Sequence, residues 1–190
     1  MSKVYIEEED FQHIDFSEKT IKQGNYEYCS FQSCDFSNVE LAHINFVECT
    51  FESCDFSNAL LSNTGFRGVK FENCKLLGLR FEDCNPLLLS FDFKNCQLNF
   101  ASFYDLTIPK THFTQCNLEQ VDFTNTQLAG SSFDGSNLAK ANFENTNLEK
   151  ADFRKAANYR INPDQNRIKQ AKFSLNGVSG LLAKYQIIIS

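Results

Sequence analysis

"CSFQSCDFSNVELAHINFVECTFESCDF", residues 29–56, carries a large apolar residue at every fifth position: Phe31, Phe36, Leu41, Phe46, Phe51 and Phe56. Two positions before each stands a smaller one: Cys29, Cys34, Val39, Ile44, Cys49 and Cys54. In extended chain, residues two apart point to the same side. Both therefore face inward, and the other three of each five, rich in Asp, Asn, Ser, Glu and Gln, face water. Five is odd, so a straight strand would send the next large residue outward. The chain must turn a corner between repeats, and Asn, Asp and Ser suit corners because their short side chains bond local backbone.

The pattern extends both ways from this stretch. It begins at Phe11 and Phe16, runs to Phe81, slips by two residues, and resumes from Phe93 to Phe153. Of the 20 Phe, only Phe91, Phe100 and Phe173 fall outside that position. A longer period of 20 lies on top: Phe11, Phe31, Phe51 and Phe71, then across the slip Phe93, Phe113, Phe133 and Phe153. Four repeats therefore make one turn. The spacing predicts an all-β solenoid of square section, about seven to eight coils stacked at the strand spacing of about 4.8 Å. Residues 1–8 are expected to be a lead-in, 9–157 the solenoid with its slip at 84–92, and 158–190 a short helical and strand tail.

The eight cysteines all stand two residues before a repeat centre. Cys34, Cys54, Cys74, Cys96 and Cys116 form one column once the slip is allowed for. Cys there acts as a compact hydrophobe. No CxxC knuckles converge as zinc would require, and no exposed thiol stands beside a base. His13, His43 and His112 occupy outward positions with no second ligand at metal spacing. Phosphate-binding glycine loops and hydrolase signatures are absent. The sequence points to no enzyme, no metal and no cofactor.

Charge narrows the partners. The net charge of −6 disfavours direct nucleic-acid binding, which needs a basic footprint. Residues 1–60 hold twelve Asp and Glu against Lys3, Lys19 and Lys22, so the N-terminal end is the acidic one. No apolar run reaches the roughly 18 residues of a membrane span, and the start lacks a signal-peptide pattern. A cytoplasmic protein is expected.

Two stretches break the repeat. In "CNPLLLSFDF", residues 84–93, two extra residues enter and Pro86 falls at a centre. A proline removes a ladder donor, so the wall should bulge there. Leu87 and Leu88 then land outward, as do Leu77, Phe100 and Tyr104. Either the bulge folds its leucines over the coil below, or the group is an apolar contact site. In the tail, "NPDQNRIKQAKF" reads as a short helix opening at Pro163 with Asn162 as cap, and "GVSGLLAKYQIIIS" as a second helix followed by a strand. Phe173, Leu181, Leu182, Tyr185, Ile187 and Ile189 exceed what one coil end can bury. A solenoid end is an unpaired edge that needs covering, so a two-fold homodimer through the C-terminus is expected.

"ANFENTNLEKADF", residues 141–153, resembles the A(D/N)(L/F)xx consensus of the pentapeptide-repeat family. That resemblance implies a right-handed quadrilateral β-helix. The tail's "INPDQNRI" and the mid-chain "LLLSFDFKNCQLNFASF" look like the topoisomerase-protecting branch, the Qnr quinolone-resistance and microcin-immunity proteins. Members of that branch are dimeric acidic rods that bind DNA gyrase or topoisomerase IV where DNA would lie. For this chain the resemblance implies a DNA-mimic-like rod acting on quinolone or toxin action. The acidic balance of residues 1–60 makes Glu40, Glu48, Glu52 and Asp55 the expected acidic contact residues. The rival expectation is an adaptor scaffold unrelated to topoisomerase, using the region around Phe100.

Overall fold

Because every repeat turns a corner, segments twenty residues apart come to lie one above the other, and they pair in parallel. The computed structural model describes residues 4–188. On one side β1 (Val4–Glu7), β3 (Gly24–Glu27), β5 (Asn45–Val47) and β7 (Gly65–Glu72) stack in order. On the next, β2 (Asp10–Gln12), β4 (Ser30–Gln32), β6 (Thr50–Glu52), the end of β7, β8 (Leu89–Lys94) and β9 (Phe113–Thr114) do the same. Single parallel bridges such as Asp15 to Asp35 and Glu40 to Leu60 ladder the other two sides. The architecture is the parallel β-solenoid that the period of five dictates.

The interior is a set of vertical columns. Phe11, Phe31, Phe51, Phe71, Phe93, Phe113, Phe133, Phe153 and Phe173 stack with centroids 4.6–5.3 Å apart and nearly parallel planes. Rings in adjacent columns meet edge-on, as Phe36 and Phe51 do at 5.8 Å and 81°. Both arrangements suit the ring quadrupole. Burying each ring is worth about 2–3 kcal/mol, largely offset by the entropy of ordering the chain.

Both ends of the solenoid lie further out than the periodicity suggested. β1 pairs with β3 and sets Ile6 beneath Tyr26, so the first coil starts at Val4 and residues 4–8 are not a lead-in. At the other end Phe173 is the ninth ring of its column, and bridges continue from Asn147 to Arg167 and from Asp152 to Lys172. No helix opens at Pro163. The Asn162 side chain instead accepts the Asp164 N–H at 3.2 Å in a turn. Ile168 and Phe173, five apart, can complete one more coil on the rings below, whereas a helix there would leave Phe153 uncovered. The tail proper follows as short 3-10 helices, Leu175–Leu181 and Ala183–Tyr185. The described residues after Gln186 form no strand, and Ile189 lies outside the described residues.

The slip is absorbed locally. Pairs that span it are 22 residues apart, as in Lys75 with Gln97 and Arg80 with Ser102, and above it the spacing returns to 20, as in Gln97 with Asn117. The extra residues enter a 3-10 turn, Pro86–Leu88, whose Leu87 N–H is accepted by the Asn85 side chain at 3.1 Å. Pro86 is exposed, and Leu89 takes the place opposite Phe66. Phe91, outside the periodic column, lies opposite Val69 and packs inward against Phe81 and Phe93 at 5.3 and 5.1 Å. It is core.

Candidate functional site

The corners decide what the surface can present. The residue two past a centre usually takes a left-handed backbone: φ is 58° at Asn38, 50° at Glu48, 63° at Phe100 and 62° at Lys110. A non-glycine residue there costs roughly 1 kcal/mol, least for Asn. Every outward position thus forms a straight column that repeats at the strand spacing of about 4.8 Å.

These columns do not gather the four acidic candidates. Glu52, one past Phe51, and Asp55, one before Phe56, flank the same corner. Glu40 stands one before Leu41 on the following side, bridged to Leu60. Glu48 occupies the corner two past Phe46. Glu40, Glu48 and Glu52 are exposed and Asp55 is half-buried, but no single acidic face contains all four.

What the structure does assemble is an aspartate ladder. Asp15, Asp35 and Asp55 are joined by successive bridges. Each carboxylate accepts the N–H of the serine two residues on: Ser17 at 2.8 Å, Ser37 at 2.7 Å and Ser57 at 2.9 Å. The Ser17 hydroxyl and N–H hold the Asp15 carboxyl below the usual range. At Asp55 partial burial opposes ionisation, yet the Ser57 hydroxyl and N–H and Lys75, 3.4 Å away, leave it lowered too. The signal was in the sequence as three Asp at intervals of 20.

The apolar candidates are split between corners. Phe100 is 61 % exposed and Tyr104 is 46 % exposed. Phe100 stands at the corner before the side centred on Phe103, and Tyr104 just past that centre. Leu77 is half-buried on the level below Phe100. Leu88 folds against Gly65 and is half-buried, while Leu87 is exposed. The exposed Leu60, on the same side as Phe103, was not singled out by sequence reasoning. An open hollow of about 830 Å³ at the N-terminal end is lined by Phe16, Ile21 and Val39 together with Lys22 and Glu40. In the tail, Phe173 and Leu181 pack against the rod's own core, Leu182 is half-buried, and Tyr185 and Ile187 are exposed along with Leu175 and Ile188.

All eight cysteines are free and buried. The thiols of Cys29, Cys34, Cys49, Cys54, Cys74 and Cys96 donate into the coil below, Cys54 Sγ to the Phe31 carbonyl and Cys74 Sγ to the Phe51 carbonyl, each at 3.3 Å. Burial pushes the Cys49 thiol up to about 12. Cys34 and Cys74 are raised by the hydrogen bonds each shares with Cys54 and by burial, and Cys116 by its bond with Cys96 and burial. His112, expected as a lone surface histidine, has a partner one coil down. Its Nδ1 lies 2.9 Å from Asp92 Oδ1, which also accepts the His112 N–H. Among the described residues no three of His, Cys, Asp and Glu cluster so as to hold a metal. No helix among them is long and apolar enough to cross a membrane.

The family profile described as "Pentapeptide repeat region" matches residues 24–103 and 80–154. No curated protein sequence resembles the chain closely enough to count as a match. Among solved structures, a trypsin-treated form of QnrB1, a plasmid-mediated fluoroquinolone resistance protein, superposes with a TM-score of 0.66 at 17 % identity, covering 98 % of this chain and 100 % of that one. A second trypsin-treated form gives 0.64 at 16 % identity over 100 % of both chains. HetL, a pentapeptide repeat protein involved in heterocyst differentiation regulation from the cyanobacterium Nostoc sp. strain PCC 7120, gives 0.51 at 16 % identity, covering 92 % and 88 %. At these identities the likeness is one of fold.

Proposed function

The chain belongs to the pentapeptide-repeat family, and on that premise we propose that it is a non-enzymatic rod whose acidic N-terminal coils engage a bacterial type II topoisomerase. DNA gyrase or topoisomerase IV is the partner, and the consequence is altered action of a quinolone or a gyrase-poisoning toxin. The observation that carries this reading is the Asp15–Asp35–Asp55 ladder with Glu52 beside it. Residues 1–60 carry twelve acids and three lysines, a net −9, over the levels of Phe11, Phe31 and Phe51. Three levels rise about 14 Å, so the charge density is about one per 1.6 Å, close to the roughly 1.7 Å of duplex DNA. The resistance role given to QnrB1 supports the drug side of the proposal.

A gyrase supercoiling assay with titrated protein, with and without a quinolone or a gyrase-poisoning peptide, tests it. The wild type should inhibit supercoiling or relieve poisoning, and binding should weaken with salt. Glu52→Lys with Asp55→Asn, which keeps an acceptor for Ser57, should weaken binding more than Glu40→Lys. No effect at micromolar protein would favour the second reading, an adaptor rod. That alternative rests on Phe100, an aromatic ring exposed at a left-handed corner where Asn is the cheaper residue.

The proposal includes a homodimer through the tail, with Phe173, Leu181, Leu182, Tyr185, Ile187 and Ile189 as the contact. The exposed Leu175 and Ile188 support it. Ile187→Lys should then halve the sedimenting mass at about 500 mM salt, where contacts between exposed charges are screened.

A further inference from the structure

One outward column changes sign halfway along the rod. It stands at the corner between the side of β1, β3 and β5 and the side of β2, β4 and β6. From the N-terminal end its left-handed residues read Glu8, Tyr28, Glu48, Gly68, then above the break Lys110, Gly130, Lys150 and Gln170. At the intervening Phe93 level β8 runs through the corner, where the Ser90 hydroxyl accepts the Gly68 N–H at 2.8 Å and Asp92 follows. Glu7, Glu9, Asp10 and Glu27 flank the acidic part. Arg67, Lys70, Lys169 and Lys172 flank the basic part, where the two acids beside Lys150, Glu149 and Asp152, are already paired with Arg167 and Arg154. Among the described residues Arg67, Lys70, Lys110, Lys150, Lys169 and Lys172 make no ion pair, whereas Lys75, Lys94, Lys140, Arg154, Lys155 and Arg167 each have a carboxylate.

We infer that this corner is a self-complementary seam for a second copy of the chain, lying antiparallel. The two-fold axis crosses the rod between the Phe71 and Phe93 levels. Glu8 then faces Lys150, Tyr28 faces Gly130, Glu48 faces Lys110, and Arg67 with Lys70 face Asp92, each contact occurring twice by symmetry. Tyr28 is 57 % exposed, and a Cβ placed at Gly130 would meet only the Lys110 stem, at 3.5 Å, so the ring has room. The register is specified by repulsion as well as attraction. Moving the axis to the Phe71 level sets Arg67 and Lys70 against their own copies. Moving it to the Phe93 level sets them against Lys110. A straight polyanion suits the seam less well, because past the basic half it would run onto Glu48, Glu27 and Glu8.

The seam is independent of the tail contact and of topoisomerase, and salt separates it from the former. The full chain is sedimented at about 50 mM and about 500 mM salt, where the screening length falls from about 14 Å to about 4 Å. In parallel, a mixture of isotopically light and heavy protein is coupled with a zero-length carbodiimide. The expected results are association about tenfold or more weaker at the higher salt and a low-salt cross-link between Glu48 of one copy and Lys110 of another. Lys110→Glu with Lys150→Glu should lose the salt-sensitive association, and so should Glu8→Lys with Glu48→Lys. An equimolar mixture of those two variants should regain it, because each then meets its complement twice. The inference is overturned if sedimentation is the same at both salts, if Glu48–Lys110 cross-links form only within one chain, or if mixing restores nothing. Low-salt binding of duplex DNA in place of self-association would overturn it as well. The Glu52 variant reads topoisomerase binding from a different corner, so either proposal can fail alone.

Discussion

The lower and upper coils share one backbone and fill it differently. Below the slip the centres beside the main ring column are Tyr26, Phe36, Phe46, Phe56 and Phe66, and the small inward positions hold six of the eight Cys. Above it the corresponding centres are Leu118, Leu128, Leu138 and Leu148, and after Cys96 and Cys116 the small positions include Thr126, Ser131, Ser136, Thr146 and Ala151. The thiol column Cys34–Cys54–Cys74–Cys96–Cys116 ends in Ser136, which does what the thiols do. Its hydroxyl donates to the Phe113 carbonyl at 2.9 Å, and Thr126 and Thr146 donate to Phe103 and Phe123 at 2.8 and 2.7 Å. The difference shows that the thiol column takes a small side chain with one donor, whereas Val39, Ile44 and Ala151 in the other columns meet only the demand for an inward apolar group. Cys meets both requirements weakly, since S–H is a poor donor, and Ser or Thr meets the second better.

The largest effect should come from removing a ring from the aromatic half. Phe51 touches the rings of Phe31, Phe36, Phe46, Phe56 and Phe71. Phe51→Ala should cost about 3–5 kcal/mol, and Leu138→Ala, in the aliphatic half, should stand at the low end of about 2–5 kcal/mol. Urea unfolding of the two variants checks the order. If Leu138→Ala proves the costlier, the aromatic stacking adds nothing beyond the volume it fills.

Alkali should separate the halves next. The Cys49 thiol has an ordinary value of 9.0 and is raised to about 12 in the fold by burial. A raised value means its contribution to stability is complete below pH 9 and is lost as pH climbs towards about 12. Burial also raises Cys29 and Cys84, in the same direction. The Tyr26 and Tyr159 phenols are raised by burial as well, one near each end. Cys116, above the slip, is raised in the same direction, but six of the eight thiols lie below it. Unfolding monitored between pH 8 and pH 12 should therefore begin in the lower coils, seen as faster labelling of Cys49 than of Cys116. Simultaneous exposure of both would mean the rod opens as one unit.

The fold was legible because a five-residue period leaves few other ways to bury so many Phe on one side of a chain. The ends were misjudged for a physical reason. Ile6 and Phe173 keep the spacing, but they sit among residues whose local composition, "EEED" and "NPDQNRIKQAKF", suggests a lead-in and a helix. Stacking on Tyr26 and on Phe153 overrode that local preference. Phe91 was lost because its role depends on how a two-residue insertion is absorbed, which the turn at Asn85 and Pro86 decides. Surface groupings were the least legible. Glu40, Glu48, Glu52 and Asp55 are close in sequence, yet closeness within one coil spreads residues around the rod. Residues that meet on the surface are twenty apart, as Asp15, Asp35 and Asp55 are, or Asp92 and His112.

The smallest effect is expected from exchanging the two chemistries at one position. Cys74→Ser places a hydroxyl where Sγ now donates to the Phe51 carbonyl at 3.3 Å. Ser136→Cys does the reverse at the Phe113 carbonyl. The hydroxyl gains a stronger hydrogen bond and loses some packing volume, and the two changes oppose each other. Each exchange should therefore shift stability by less than about 1 kcal/mol, a typical net value for one hydrogen bond. Cys74→Ala removes the donor as well and should cost more than Cys74→Ser, by about 0.5–1.5 kcal/mol. Denaturant midpoints for the three variants give the ranking. If Cys74→Ala and Cys74→Ser unfold together, the donor contributes nothing and the column is defined by volume alone. In that case Ser136 ends the thiol column only because a small side chain fits there.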